Sequence, residues 1–436
     1  MHGSMHDSLK RVSNCIVTLA LAFCWFAVGC HGQAIAPVIT VNNGPNAPQQ
    51  ISKPYVILVS LDGFRYDYAK KYHAEHLLAL AAQGATAPEG MIPSYPSITF
   101  PNHYTIVTGL YPEHHGIVGN DFYDPARKQS YGNGSVGGTI ADGAWYGGTP
   151  LWVLAEQQGM RSASFFWVGS ESDVLGVRPS YYLKYDRSLP NPKRVEQVLA
   201  WLHLPPEQRP HMITLYFSDT DSAGHRYGPD SPQVADAVHE LDGEIGKLEG
   251  GIKESKLPVD LIVLADHGMA AVQGAPIDLN PFGLNPAWFT MIDDNLLYPK
   301  SEDDAQKAFE ALRGKSDKFS VYRRAQVPAY LHFDSNPREG DPVIVPNGPY
   351  LISADHSHSG PPPMGMHGYD PSQVPEMKAI FVAAGPDIRR GVVLPPFENV
   401  NVYPLIARIL GLDITNLKTG PIDGKLSMLE GMLQTK

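Results

Sequence analysis

The chain has 436 residues, 43% of them apolar and 18% charged, enough to bury a large core and to exclude disorder as the main state. Its formal charge of −11, with no run of Lys or Arg, excludes a reader of nucleic-acid duplex, whose affinity comes from clustered cations that neutralise phosphates. Any phosphate bound here has to be held by something other than a basic patch.

Residues 1–30 read as a signal peptide. Lys10 and Arg11 precede an apolar run from Ile16 to Val28 that is too short to span a bilayer as a mature helix. The run ends Phe26-Ala27-Val28-Gly29-Cys30, similar to a bacterial lipoprotein box in which Cys30 is lipidated, although Ala27 stands where Leu is usual. Plain cleavage into the periplasm is the alternative, so the expectation is an exported protein, periplasmic or anchored at an outer membrane through Cys30. Residues 31–52, polar and rich in Pro, Gly and Asn, are expected to be a flexible tether, followed by one folded domain over 53–436. Cys15, Cys24 and Cys30 are the only cysteines. The folded part therefore has no disulfide, no cysteine nucleophile and no thiolate ligand.

Further along, the short apolar runs Tyr55 to Leu61, Ala163 to Val168, Met212 to Phe217, Leu261 to Ala265 and Ala379 to Ala383 predict strands buried on both faces. Between them Val234, Ala237, Val238, Leu241, Ile245, Leu248 and Ile252 form a helical stripe expected to end near Gly250 and Gly251. This alternation predicts an α/β three-layer sandwich, a mostly parallel central sheet flanked by helices, with its site at the carboxyl ends of the strands. From about Asn295 to Pro349 the texture changes to a charged helical stretch, Glu302 to Arg313, and a strand-like Val327 to Phe333. An inserted lobe on the sheet is expected there, with decoration away from the chemistry as its plain reading.

The carboxyl ends of these strands are polar. Asp62-Gly63 comes after the first, Asp219, Asp221 and His225 after the third, and Asp266-His267-Gly268 after the fourth. One such Asp reads as a turn or helix cap; three in register at buried strand ends point to something bound. Asp221 and His225 stand four apart, a compact way to offer oxygen and nitrogen to one metal from a helical turn. Asp266 and His267 are adjacent, so their side chains are expected to diverge, a geometry better suited to bridging toward one site along a strand end. His367, on a glycine-flanked loop, reads alone as a surface residue. Oxygen and imidazole donors without thiolate fit zinc, and manganese or iron less well. Thr99 precedes Phe100, Pro101 and the apolar helical run Tyr104 to Leu110, which places it at or near a helix N-cap where backbone N–H groups favour anions. It is either a capping threonine or a metal-bound hydroxyl that attacks phosphorus.

These residues resemble the nucleotide pyrophosphatase/phosphodiesterases of the alkaline phosphatase superfamily. The matching stretches are LVSLDGFR (58–65), YPSITFPNHYTIVTGLY (95–111), PEHHGIVGN (112–120), DSAGHRYGP (221–229), ADHGM (265–269) and HGYD (367–370), in the family's order. The resemblance implies an alkaline-phosphatase-like fold and two zinc ions, one held by Asp221, His225 and His367, the other by Asp62, Asp266, His267 and Thr99. It implies Thr99 as nucleophile, forming a phospho-threonine, and Asn120 as the residue that cradles a phosphoryl oxygen with the Thr99 N–H. Animal members carry disulfides and further modules, so a bacterial single-domain member is expected. Asp219-Thr220 stands where the family often has Glu-Pro, which leaves Asp219 a possible part in the site.

Within the family, nucleotide-cutting members carry an insertion that lysophospholipid-cutting members lack. Here the stretch from Glu171 to Lys193 is long and contains Tyr185, which with Phe100 is expected to sandwich a base. The expected substrate is a nucleotide or other small phosphodiester, acted on by a monomer. A lipid-headgroup phosphodiesterase, a phosphomonoesterase and a non-catalytic metal- or phosphate-binding lipoprotein stay open as alternatives. A sulfatase is excluded by the absence of its Cys/Ser-x-Pro-x-Arg motif.

Overall fold

The computed structural model of the chain describes residues 37–132, 139–293, 295–353 and 361–435. The expected leader, with all three cysteines, lies outside the described residues, as do residues 31–36 of the expected tether.

The apolar runs become the centre of one sheet. Tyr55–Leu61, Met212–Phe217 and Val259–Leu264 are buried at every position, as strands covered by helices on both faces must be. Among the described residues the sheet has nine strands, in the order Ile39–Thr40, Tyr181–Leu183, Ser162–Phe165, Met212–Phe217, Tyr55–Leu61, Val259–Leu264, Phe381–Ala384, Ala85–Thr86 and Val392–Val393. From Tyr181–Leu183 to Val259–Leu264 every pairing is parallel. Ser60 faces Tyr216 on one side and Leu264 on the other. That register delivers the residues just past each strand to one edge of the sheet.

Four expectations change. Phe381–Ala384 runs antiparallel to Val259–Leu264, because the chain reaches it from the edge where His367 lies and has to run back. The helix over Pro232–Ser255 passes straight through Gly250 and Gly251. A Cβ on Gly251 would stand 2.4 Å from Leu199 Cδ2, so this glycine permits a close approach to the helix Asn191–Leu202 instead of ending its own. The described part of the tether is packed: Ile39–Thr40 pairs with Tyr181 and Tyr182. Asn46 is tied to Pro206 O, Arg209 O and Arg161 N at 2.7–2.8 Å. The stretch Glu171 to Lys193 likewise supplies an interior sheet strand, Tyr181–Leu183, and is not wholly an insertion.

The lobe is an antiparallel sheet of Phe289–Asp293, Leu296–Pro299, Val343–Pro346 and Phe319–Tyr322, with the helix Glu302–Leu312. It has its own small core of Leu279, Phe289, Leu297, Ala308, Leu312, Phe319 and Ile344, so it begins earlier than Asn295. Val327 to Phe333 forms short 3-10 turns and no strand, since Pro328 removes a ladder donor. Nor is the lobe remote decoration. Arg338 donates to Gly116 O and Trp145 O at 2.8 and 2.9 Å and pairs with Asp124 at 2.9 Å. Asn336 donates to Glu113 O at 2.8 Å. The lobe thus clasps the segment that carries Asn120.

Glu339 closes a capping box with Asn336, is fully buried, and keeps one carboxyl oxygen without a hydrogen-bond partner. Burial, with Glu113 nearby, pushes its carboxyl up to about 9. The unfolded chain releases this proton near the ordinary 4.5 while the folded chain keeps it to about 9, so this group weakens folding as pH rises through that window. Glu339→Gln should therefore gain stability over the wild type between about pH 5 and about pH 8.5, read from urea midpoints. A constant difference between the two proteins at both pH values would refute the protonated state.

Candidate active site

Gly63 brings the first two acidic segments together. Its φ is +67°, and a Cβ there would sit 2.9 Å from Asp221 Cα, so only glycine lets the turn after Tyr55–Leu61 touch the helix Asp219–Tyr227. On that helix Asp221 and His225 share a face, with His225 Nε2 3.2 Å from Asp221 Oδ1. His367 arrives from its loop with Nε2 3.2 Å from His225 Nε2 and 3.6 Å from Asp221 Oδ1. Next to this group, His267 Nε2 lies 3.0 Å from Asp266 Oδ2, 3.5 Å from Asp62 Oδ1 and 3.2 Å from Thr99 Oγ1. Asp266 and His267 do not diverge, because the strand stops at Leu264 and its alternation stops with it. The rings of His267 and His367 stack at 3.7 Å, making the two groups one continuous patch.

The hydrogen bonds say which atoms are free. His225, His267 and His367 each hold Nδ1 against a backbone carbonyl, of Gly365, Gly268 and Ser97, at 2.9–3.0 Å. A carbonyl only accepts, so Nδ1 carries a proton and Nε2 is the nitrogen turned towards the patch, the orientation a metal requires. Asp62 Oδ1, Asp221 Oδ1 and Asp266 Oδ2 are buried without a hydrogen-bond partner. Buried carboxylate oxygens left in this way call for a cation. Clusters fit for a metal fall on Asp221, His267 and His367 and on Asp62, His103 and Asp266. His103 is not an available donor, since Nδ1 donates to Thr99 O at 2.9 Å and Nε2 accepts from Ser60 Oγ at 2.8 Å.

Burial and the charges of Asp266 and Asp221 hold the Asp62 carboxyl well above its usual range. Burial pushes Asp266 the same way, but His267 and His103 outweigh it and bring it well below. His367, desolvated and facing His267 and His225, is held well below the ordinary imidazole range and is neutral.

Thr99 is the first residue of the helix Thr99–Thr108, after Ile98, and does not cap it. Its hydroxyl turns to His267 and leaves the first N–H groups of the helix open. Asn120 takes up one of these, accepting from Phe100 N at 2.9 Å through Oδ1, which leaves its amide N–H edge to face a ligand. Asn102 anchors the approach to Thr99, donating to Pro96 O and Ile98 O at 2.9 Å and accepting from Ser94 N at 2.8 Å.

Phe100 lies edge-on to Tyr131 at 6.4 Å, whereas Tyr185, 46% exposed, packs on Phe166 and Tyr216. Arg65 is consumed by Asp67 and Asp230, and Arg226 lies over Tyr227. Asp219 lines a separate cleft of about 580 Å³ with Arg187, Arg194, Arg226 and Glu240. Three neighbours of the site are not singled out by the sequence patterns: His103, Ser60 and Tyr216, whose hydroxyl donates to Asp62 Oδ2 at 2.5 Å. The spacing of His103, one helical turn after Thr99, is the signal that points to it.

Residues 56–370 match the family described as type I phosphodiesterase / nucleotide pyrophosphatase. The chain is 34% identical over 447 residues to an uncharacterized pyrophosphatase/phosphodiesterase of Schizosaccharomyces pombe, covering 97% of this chain and 88% of that protein. It is 35% identical over 408 residues to human ectonucleotide pyrophosphatase/phosphodiesterase family member 1, covering 90% of this chain and 43% of the relative. It thus spans about half the length of the animal relatives it matches. Among solved structures, murine ectonucleotide pyrophosphatase/phosphodiesterase 5, as an inactive Thr-to-Ala variant in complex with AMP, superposes with a TM-score of 0.80 at 29% identity, covering 88% of this chain and 100% of that one.

Because the orphaned oxygens and free Nε2 atoms converge, a divalent ion should stabilise the folded chain. Zinc added to chelator-stripped protein at a hundredfold excess over its Kd should contribute about 2.7 kcal/mol. Calorimetry checks this, and Asp62→Asn or His367→Ala should shrink the gain. An unchanged melting temperature with zinc would count against any ion at this patch.

Proposed function

The chain belongs to the type I phosphodiesterase / nucleotide pyrophosphatase family, a family of phosphoric diester hydrolases, and from that premise we propose that it hydrolyses nucleotide phosphodiester and pyrophosphate bonds, releasing nucleoside 5'-monophosphates through a phosphorylated Thr99. One observation carries this reading: Thr99 Oγ1 sits against a patch of free imidazole nitrogens and unpartnered carboxylate oxygens. The AMP bound by the solved neighbour, whose inactive form carries a Thr-to-Ala change, supports both the nucleotide and the threonine.

In this reading Asp221, His225 and His367 would hold one zinc ion, and Asp62, Asp266, His267 and Thr99 the other. Such ions would supply Lewis-acid charge that lowers hydroxyl pKa values and offsets negative charge developing on oxygen. Thr99 Oγ1 forms the bond to phosphorus as the leaving oxygen departs on the opposite face. Water then displaces Thr99, so two inversions give net retention. The Thr99 N–H and the Asn120 amide donate to the remaining phosphoryl oxygen. Gly268 O holds a His267 proton on Nδ1, so Nε2 is the nitrogen that would be offered to an ion. Phe100 and Tyr185 flank the base. Export, attachment through Cys30 and a monomeric state belong to the same reading and rest on the sequence.

Thr99→Ala should lower kcat by several orders of magnitude while the protein keeps its zinc, since six protein ligands remain. A near-wild-type rate would remove Thr99 from the chemistry. With Arg65 and Arg226 occupied elsewhere, no free cation among these motifs meets the second charge of a monoester, so thymidine 5'-p-nitrophenyl phosphate should outrun p-nitrophenyl phosphate. Tyr185→Ala or Phe100→Ala should cost the nucleotide diester roughly ten- to a hundredfold in kcat/KM. Bis-p-nitrophenyl phosphate, which has no base to stack, should be spared; equal losses on both substrates would rule out base stacking.

A further inference from the structure

We propose that Tyr216 is a positioning residue for the metal site, its hydroxyl fixing the Asp62 carboxylate so that Oδ1, and not Oδ2, is the oxygen presented to a divalent ion. The inference rests on the metal reading above and adds a residue to it.

The register explains the contact. Ser60 faces Tyr216 across the parallel pair, so their side chains project on one face of the sheet, and Asp62, in the turn just past Leu61, comes within reach of the Tyr216 hydroxyl. The Tyr216 hydroxyl reaches Asp62 Oδ2 at 2.5 Å. Asp62 Oδ1 has no hydrogen-bond partner and lies 3.5 Å from His267 Nε2. A carboxylate turns about a broad, two-fold torsion, so without a donor on one oxygen the two exchange places at little cost. With the donor present they are distinguished. Thr220 Oγ1, donating to Asp62 O at 2.5 Å, holds the backbone of the same residue.

Tyr216 is itself held fast. The guanidinium of Arg194 donates to its carbonyl at 2.8 Å, and its ring packs edgewise on His103 at 5.2 Å and on Tyr185 at 6.1 Å. These contacts involve the ring and the backbone. Tyr216→Phe therefore retains them and deletes only the hydroxyl.

The test measures zinc affinity without substrate, by competition with a chromophoric chelator, in wild type, Tyr216→Phe, Asp62→Asn and the double variant. Partners that orient a ligating carboxylate carry about ten- to a hundredfold in metal affinity. Tyr216→Phe should therefore weaken one of the two zinc ions by that factor and leave the other unchanged. In the Asp62→Asn background, adding Tyr216→Phe should change nothing further, a non-additivity that a merely structural tyrosine does not produce. Unchanged affinity in Tyr216→Phe, equal loss of both ions, or a full additional loss in the double variant each overturns the proposal while leaving the metal reading intact. A wild type that takes up no zinc overturns the metal reading itself, and the proposal with it.

Discussion

Three carboxylates, Asp62, Asp221 and Asp266, meet at the ends of parallel strands, each with a buried oxygen that has no hydrogen-bond partner and lies among imidazole nitrogens. Like charges gathered in a crevice repel and are poorly solvated there, so the arrangement favours a proton or a cation joining it. The rest of the local structure is arranged around that requirement. The imidazoles have their protons tied to backbone carbonyls, Gly63 lets two acidic segments touch, and the helix bearing Thr99 is anchored by Asn102 so that the hydroxyl faces the patch and not its own backbone.

This arrangement resolves the difficulty posed by a chain of net charge −11 whose proposed substrate is anionic. The Arg65 guanidinium does not supply the compensation, since it is spent on Asp67 and Asp230. In the proposed reading the positive charge is concentrated in ions at the bottom of the crevice, which suits a substrate carrying a single charge at phosphorus. Base recognition is then a matter of stacking, and tolerant of the base's identity. The lobe joins in at one remove: Arg338 and Asn336 grip the segment 113–124 and so steady Asn120.

Order around the patch is also layered. The Thr99 hydroxyl meets His267, while the groups that orient the donors of the patch and its neighbour His103, Tyr216 on Asp62, Ser60 on His103 and Ser97 on His367, come from separate parts of the chain. Deleting one of them would leave the fold standing and loosen the geometry of one donor, which is how sites on rigid elements are tuned.

The sequence determined the elements whose signal is local. Unbroken apolar runs forced Tyr55–Leu61 and Met212–Phe217 into the sheet interior at their expected limits, and Asp or His after such a run has few neutral explanations. A spacing of four residues is enough to put Asp221 and His225 on one helical face, since it closes about one turn. Relations between distant segments are not decided this way. Gly251 reads as a helix stop until Leu199 is seen to occupy the space beside it. Phe381–Ala384 has the composition of a parallel strand, and only its point of entry reverses it. The described tether and Tyr181–Leu183 look like linker and insertion because each is too short to show a period; Tyr181–Leu183 gains its structure by pairing with Ser162–Phe165, and the tether by pairing with Tyr181–Leu183 in turn. Which nitrogen of each histidine is free, and which oxygen of Asp62 is spoken for, depends on carbonyls and a tyrosine hydroxyl supplied by other segments of the fold. Periodicity encodes what a segment buries; only the assembled fold fixes what it faces.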